Sequence, residues 1–215
     1  MEFTNDTVLP VEGIVSFDEQ LILQTCNEIV CHLTHAGIKK TYGDYIIEGC
    51  RSDGIGMELK KIMVDMVESA LKSYYESAWG WSRDDKMKEL FTRDAHFIII
   101  RNNTNDNNIV GFAMYRFLWD DDEEPEFPCL YLMELNILSE CRGHGIGKYI
   151  IDLLFKIQNR WNLWKVMLTC FIENEPAMKF YMKLGFGIDV YSPSRCEGWE
   201  PEKYEILSNR PNVTS

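Results

Sequence analysis

The chain predicts a mixed α/β domain, a central sheet with helices packed on it, preceded by a helical extension. Three observations carry this. Short apolar runs of strand character alternate with longer runs of helical period. One strand-like run, Cys129–Leu138, leads into the glycine-rich turn Arg142-Gly143-His144-Gly145-Ile146-Gly147-Lys148, and an apolar-periodic helix starts there. A second strand, turn and helix follow, from Lys165 through Asn174 to Leu184.

Taken in order, residues 17–36 place Phe17, Leu21, Ile22, Ile29, Val30 and Leu33 at roughly helical spacing, and Gly37 stops the run. Tyr42–Cys50 reads as a strand. Met57–Glu76 is an amphipathic helix whose stripe is Leu59, Ile62, Met63, Met66, Val67, Ala70, Leu71 and Tyr74. A short helix is expected over Asp84–Phe91. His96–Arg101 and Ile109–Leu118 are strands flanking the polar hairpin loop 102–108. After Cys129–Leu138, the helix Gly145–Arg160 turns Ile146, Tyr149, Ile150, Leu153, Leu154 and Ile157 inward. A strand at 165–171, a helix at about 174–184 and strands near 187–192 and 203–208 complete the chain. There is no repeat and no low-complexity linker. The division is therefore a helical extension over 1–41 and one globular unit over 42–215.

Composition bounds the function. The chain has 215 residues, 46% of them hydrophobic, which is enough for one sizeable core. No run approaches the roughly 20 apolar residues of a membrane span, so no membrane partner is expected. The start, Met1-Glu2-Phe3-Thr4, carries no basic segment and reads as no secretory signal, so an intracellular setting is expected. The seven cysteines and four histidines show no metal-ligand spacing, so reduced thiols and no metal are expected. A formal net charge of −12 argues against direct binding of nucleic acid and permits a basic partner. The run Asp120-Asp121-Asp122-Glu123-Glu124-Pro125-Glu126 is either a solvated loop or a surface that steers a cationic peptide.

The glycine-rich turn carries the chemistry. Its glycines let the main chain turn tightly, and the first N–H groups of the following helix have no internal partner, so they face an anion favourably. No Gly-Lys-Ser/Thr closes the turn, so it is not a nucleoside-triphosphate loop, and no Gly-x-Gly-x-x-Gly is present. The pattern Arg142-x-x-Gly145-x-Gly147 resembles the pyrophosphate loop of the GCN5-related N-acetyltransferases (GNAT), which binds coenzyme A. Asn174, Ala177, Tyr181 and Leu184-Gly185-Phe186 resemble the second half of the same core. The resemblance implies the GNAT fold, with a mostly antiparallel sheet, and acetyl-CoA as co-substrate. Its phosphates would lie on Arg142, Gly143, His144, Gly145, Ile146, Gly147 and Lys148.

Within that superfamily, Tyr74–Trp81 (with its Trp-Gly-Trp), Lys165–Thr169, Ser192-Pro193-Ser194 and Tyr204–Ser208 resemble the N-alpha-acetyltransferase D branch (NatD). The likeness spans about residues 42–210. It implies a basic histone N-terminal peptide as partner (histone four and histone two-A, beginning Ser-Gly-Arg-Gly), a single catalytic chain, and a cytoplasmic and nuclear setting. The alternative on the same fold is acetylation of a small amine or polyamine.

Glu134 sits mid-strand in the apolar run Leu132-Met133-Glu134-Leu135, where a carboxylate is costly unless used or paired. It is either the base or water-ordering group, or a salt-bridged glutamate. Strict alternation puts Glu134 with Leu132 and Asn136 on one face, and Tyr131 and Met133 on the other. A β-bulge, typical of the superfamily, would break that rule and open a groove. Tyr74 is on the apolar stripe and would be core on that ground alone. The resemblance makes it a groove residue that holds or deprotonates the amine. It likewise implies Tyr131, Tyr204 and Thr169 at the peptide, and places Met133 where the branch has a tyrosine. The branch's acidic substrate contact falls near Asp120–Asp122. Trp79 either packs against the first substrate residues or pins its loop. Thr169 and Asn174 position the pantetheine arm, main-chain amides near Leu135 and Ile137 face the thioester, and Tyr181 is either a proton donor to the thiolate or core. His144 is a phosphate contact or spectator.

Overall fold

The computed structural model describes residues 44–103, 108–120, 127–196, 198 and 200–210. The helix expected over 17–36, the first residues of the Tyr42 strand, the middle of the hairpin loop and the acidic run from Asp121 onward lie outside them.

The strands are β1 (Tyr45–Arg51), β2 (His96–Asn102), β3 (Ile109–Asp120), β4 (Phe127–Ile137), β5 (Val166–Phe171), β6 (Gly187–Ile188) and β7 (Tyr204–Asn209). The longer helices are α1 (Met57–Ala78), α2 (Arg83–Leu90), α3 (Ile146–Arg160) and α4 (Glu175–Lys183). They build one sheet in the order β1-β2-β3-β4-β5-β7-β6, antiparallel throughout except for β4 beside β5.

The sheet is covered on both sides. The centre of β2, Phe97–Ile100, is an unbroken apolar run because both its faces are buried: Ile98 and Ile100 join one core, Phe97 and Ile99 the other. The first core packs α3 through Ile146, Ile150, Leu153, Leu154 and Ile157. Each such side chain contributes about 1.5–3 kcal/mol of burial. The second packs α1 through Met63, Val64, Met66 and Val67. Ile62, expected inward, is instead 45% exposed and Val64 is buried, so the buried stripe is rotated slightly from the sequence reading.

Helix starts follow local chemistry. Ser82 Oγ accepts the Asp85 N–H at the start of α2, and Asn174 Oδ1 accepts the Ala177 N–H at the start of α4. The strand expected over 187–192 is only Gly187–Ile188. Beyond it, Asp189 turns inward: its carboxylate accepts from Lys165 Nζ at 3.1 Å and from the Tyr191 N–H at 3.1 Å. Ser192 Oγ then donates to Glu205 and accepts the Ile206 N–H at 2.7 Å. These polar groups satisfy one another in place of a ladder.

Candidate active site

β4 and β5 pair only over Leu130–Leu132 and Val166–Leu168, then part. The gap between them is the site. At the same point β4 carries a bulge: Met114 faces Glu134 while Tyr115 faces Leu132, so Met133 is an extra residue. The bulge breaks the alternation expected from sequence. Leu132 stays in the α3 core, whereas Met133 joins the α1–α2 core and Glu134 meets side chains of those two helices. Further along, Leu138 donates its N–H to Val110 on β3. The amides of Ile137 and Leu135, on alternate residues, therefore point to the open edge.

One end of the gap is a cavity of about 320 Å³ lined by Trp79, Glu89, Tyr131, Met133, Glu134 and Thr169, among others. Glu134 is almost sealed from solvent and accepts three hydrogen bonds, one short of what its two oxygens can take. Its Oε1 accepts from Lys86 Nζ and from Tyr75 Oη, each at 3.1 Å, and its Oε2 accepts from Asn136 Nδ2 at 3.0 Å. Burial pushes its carboxyl above the ordinary range, Lys86 opposes that, and Glu89 adds to it. Lys86 is buried, and although burial disfavours its ammonium, Glu134 and Glu89 hold its pKa above the usual value. Glu134 is thus both salt-bridged and a wall of the cavity.

The tyrosine on Glu134 is Tyr75. The phenol of Tyr75 is raised by burial and by the Glu134 charge, so it stays protonated. Tyr74 stacks on Phe171 at 5.8 Å and faces the neighbouring cavity instead. Tyr75, Trp79 and Phe171 pack against one another, and Trp79 also meets Tyr204 at 5.0 Å. Tyr131 and Thr169 share a hydrogen bond between their hydroxyls across the β4–β5 gap. Of the residues expected at a substrate, Trp79, Tyr131, Met133, Glu134 and Thr169 line one cavity; Tyr204 is joined to it through Trp79, and Tyr74 lies beyond it. Sequence reasoning missed Tyr75, Lys86 and Glu89. A lysine three residues before a glutamate on a short helix was the signal available, and it reads as a surface pair.

The other end is a groove of about 650 Å³. Leu135, Ile137, Arg142, Gly143, Gly145, Ile146, Gly147, Lys148 and Asn174 line it as expected, and Asn174 and Tyr181 line both cavities. His144 is exposed and does not line it; Thr169 belongs to the first cavity. Gly143 and Gly145 have φ of +80° and +83°, a region that favours glycine. Gly147 is tight: a Cβ there would lie 3.0 Å from Phe180. No side chain caps α3, so its first-turn amides face the groove. Such a helix start fits a diphosphate. Arg142 Nε donates to the Ile137 carbonyl at 2.8 Å, tying the turn to β4, and Lys148 pairs with Asp152 at 2.6 Å. Tyr181 is buried, and burial together with Cys170 and Glu134 keeps its phenol protonated.

A parted strand pair, a bulge and a glycine turn at a helix start now stand together, and residues 64–186 match the acetyltransferase (GNAT) family. The chain belongs to that family. Among curated relatives, this GNAT chain is 29% identical over 86 residues to an N-alpha-acetyltransferase of Saccharolobus solfataricus, covering 38% of this chain and 52% of the relative. It is 31% identical over 97 residues to N-alpha-acetyltransferase 40 of Saccharomyces cerevisiae, covering 38% of this chain and 34% of that protein. It is 31% identical over 84 residues to a spermine/spermidine N(1)-acetyltransferase of Bacillus subtilis, covering 38% and 54%. The matched segments thus span about half the length of these relatives, or less. Arabidopsis thaliana NAA60 in complex with a bisubstrate analogue shares the fold, with a TM-score of 0.53, 13% identity, and coverage of 78% of this chain and all of that one. Among the described residues no cluster of metal-ligating side chains occurs.

Proposed function

We propose that this GNAT chain transfers acetyl from acetyl-CoA to the free N-terminal α-amine of a basic peptide of the histone four and histone two-A type, beginning Ser-Gly-Arg-Gly. The observation that carries the reading is the joined pair of cavities. A groove walled by a helix start and glycines opens, past Leu135 and Tyr181, into an aromatic pocket that ends on Glu134. The first end suits a diphosphate, the second an amine.

An amine must be neutral to attack. At pH 7 about a tenth of α-amines are neutral, against one lysine side chain in a few thousand. A mild base therefore serves N-termini far better than lysines. Glu134, with its carboxyl raised by burial, is that base. Tyr75 and Lys86 orient its carboxylate, and Tyr181, held protonated, stands between the cavities to supply a proton at the thiol end. Trp79, Tyr131, Met133, Thr169 and Tyr204 form the peptide wall, with Tyr74 behind them towards the cofactor. When bound, acetyl-CoA supplies the activated acyl group; Arg142–Lys148, Asn174 and the amides of Leu135 and Ile137 would hold it. The net charge of −12 favours a cationic peptide, and NatD-like residues at both ends of the domain favour the histone start. The chain acts alone, in the cytoplasm and nucleus.

The polyamine relative supports a second reading, since the two carboxylates in the pocket suit a polyamine too. Turnover is measured with a Ser-Gly-Arg-Gly peptide, the same peptide with a blocked N-terminus, and spermidine. Acetylation confined to the free peptide is the expected result. Modification of the blocked peptide at lysine, or a preference for spermidine, overturns the histone assignment.

A further inference from the structure

The ammonium of Lys86 has three protons and three acceptors: Tyr75 Oη at 2.6 Å, Glu134 Oε1 at 3.1 Å and Glu89 Oε2 at 2.9 Å. The side chains of Lys86 and Glu134 are each 3% exposed, and that of Glu89 is 42% exposed. The three groups therefore run from the sealed interior to solvent. Glu89 and Glu134 are the only carboxylates among the described residues that line this cavity. Two carboxylates and one ammonium carry one net negative charge, and one added proton makes the cluster neutral.

Glu134 lacks its own outlet. Lys86 and Tyr75 occupy one oxygen and Asn136 the other. Acetylation of an α-ammonium by a thioester yields an amide, a thiol and one proton, and that proton must leave the pocket before the next turnover. We propose that Glu89 is the exit for it, reached through Lys86. The proposal rests on the α-amine reading given above. The N–H bond of the substrate ammonium breaks and an O–H bond forms on Glu134. In one coupled step Lys86 passes a proton to Glu89 Oε2 as it takes the one on Glu134 Oε1, so its ammonium is never discharged. Glu134 is again a carboxylate, and Glu89 passes its proton to water. The other charged or titratable groups facing the cavity are Arg116 of β3, held by Asp94 at 2.6 Å, Tyr75 of α1, Tyr131 of β4, Cys170 of β5 and Tyr181 of α4. None of them is a second carboxylate outlet.

The experiment is steady-state acetylation of a free N-terminal peptide across about pH 6 to 9.5 by the wild type, Glu89→Gln, Glu89→Asp and Lys86→Arg. At pH 7, where only about a tenth of the α-amine arrives neutral, Glu89→Gln is expected to lose kcat by about tenfold with KM little changed. Above about pH 9 the amine arrives neutral and the loss is expected to shrink to less than about twofold. Glu89→Asp retains most of the rate. Lys86→Arg, whose guanidinium keeps the charge but does not give up a proton, shows the same pH-dependent loss. A Glu89→Gln loss that is uniform with pH, or no loss at all, overturns the relay while leaving the acetyltransferase reading standing. A wild type inert on every N-terminal peptide overturns that reading and the relay with it.

Discussion

Replacing Lys86 with methionine removes the ammonium that the buried Glu134 depends on, and the cost follows from the geometry. At 3.1 Å and an effective dielectric near 20, the attraction is about 5 kcal/mol. Desolvation of the ammonium in the native protein offsets part of it, and breaking a buried pair by deleting one partner costs about 3–5 kcal/mol. For a chain of this size that corresponds to a fall in melting temperature of about 10 °C. The loss depends on pH with a definite sign. Glu134 already has a folded-state pKa above its unfolded value, and loss of Lys86 raises it further. A carboxyl shifted this way is tolerated in its protonated form and penalised as pH rises through the folded pKa. Thermal unfolding of both proteins between pH 5 and pH 8, followed by circular dichroism, should show the gap widening with pH. Adding Glu134→Gln to the variant should recover most of the stability at pH 8. An equal gap at both pH values, or no recovery, would show that the stranded carboxylate is not the source.

Gly147→Val should drive Phe180 out of place and weaken acetyl-CoA binding by more than about tenfold, since an added Cβ already meets that ring at 3.0 Å; calorimetry measures it, and unchanged affinity would refute the groove assignment. Gly111→Ala should cost about 1–3 kcal/mol of stability, because its Cβ would lie 2.9 Å from the Asn136 carbonyl, a backbone atom that cannot swing aside. Cys170, whose thiol burial pushes up to about 12, should resist iodoacetamide at pH 8 in the native protein and react once denaturant is added; peptide mass mapping tells the two apart.

What was legible in the sequence was what local chemistry decides. Gly143 and Gly145 need left-handed backbone, and α3 starts without a side-chain cap, so the groove-lining turn between Ile137 and Ile146 could be read directly. The long apolar stripe gave α1 to within two residues at its C-terminal end. The details of the cavity around Glu134 were not legible, because they depend on packing. Period-two counting places Glu134 beside Leu132, and only the extra residue Met133 turns it towards α1 and α2. Tyr74 and Tyr75 both border the stripe that runs through Val67 and Leu71, and the rotation of α1 on the sheet selected Tyr75 for Glu134. Lys86 lies in Arg-Asp-Asp-Lys-Met-Lys-Glu-Leu, a segment whose composition reads as solvated. Its burial depends on a carboxylate 48 residues away that no local window contains.

Three residue pairs form the seam between β4 and β5, and the strands on either side of it belong to two antiparallel groups, β1–β4 on one side and β5, β7 and β6 on the other. A wedge pivoting on so short a seam has a width set at its apex. Swapping Leu130, which is buried in the α3 core and does not line the cavity, for a slimmer aliphatic would reset how the two walls sit on that core, while every wall residue kept its identity.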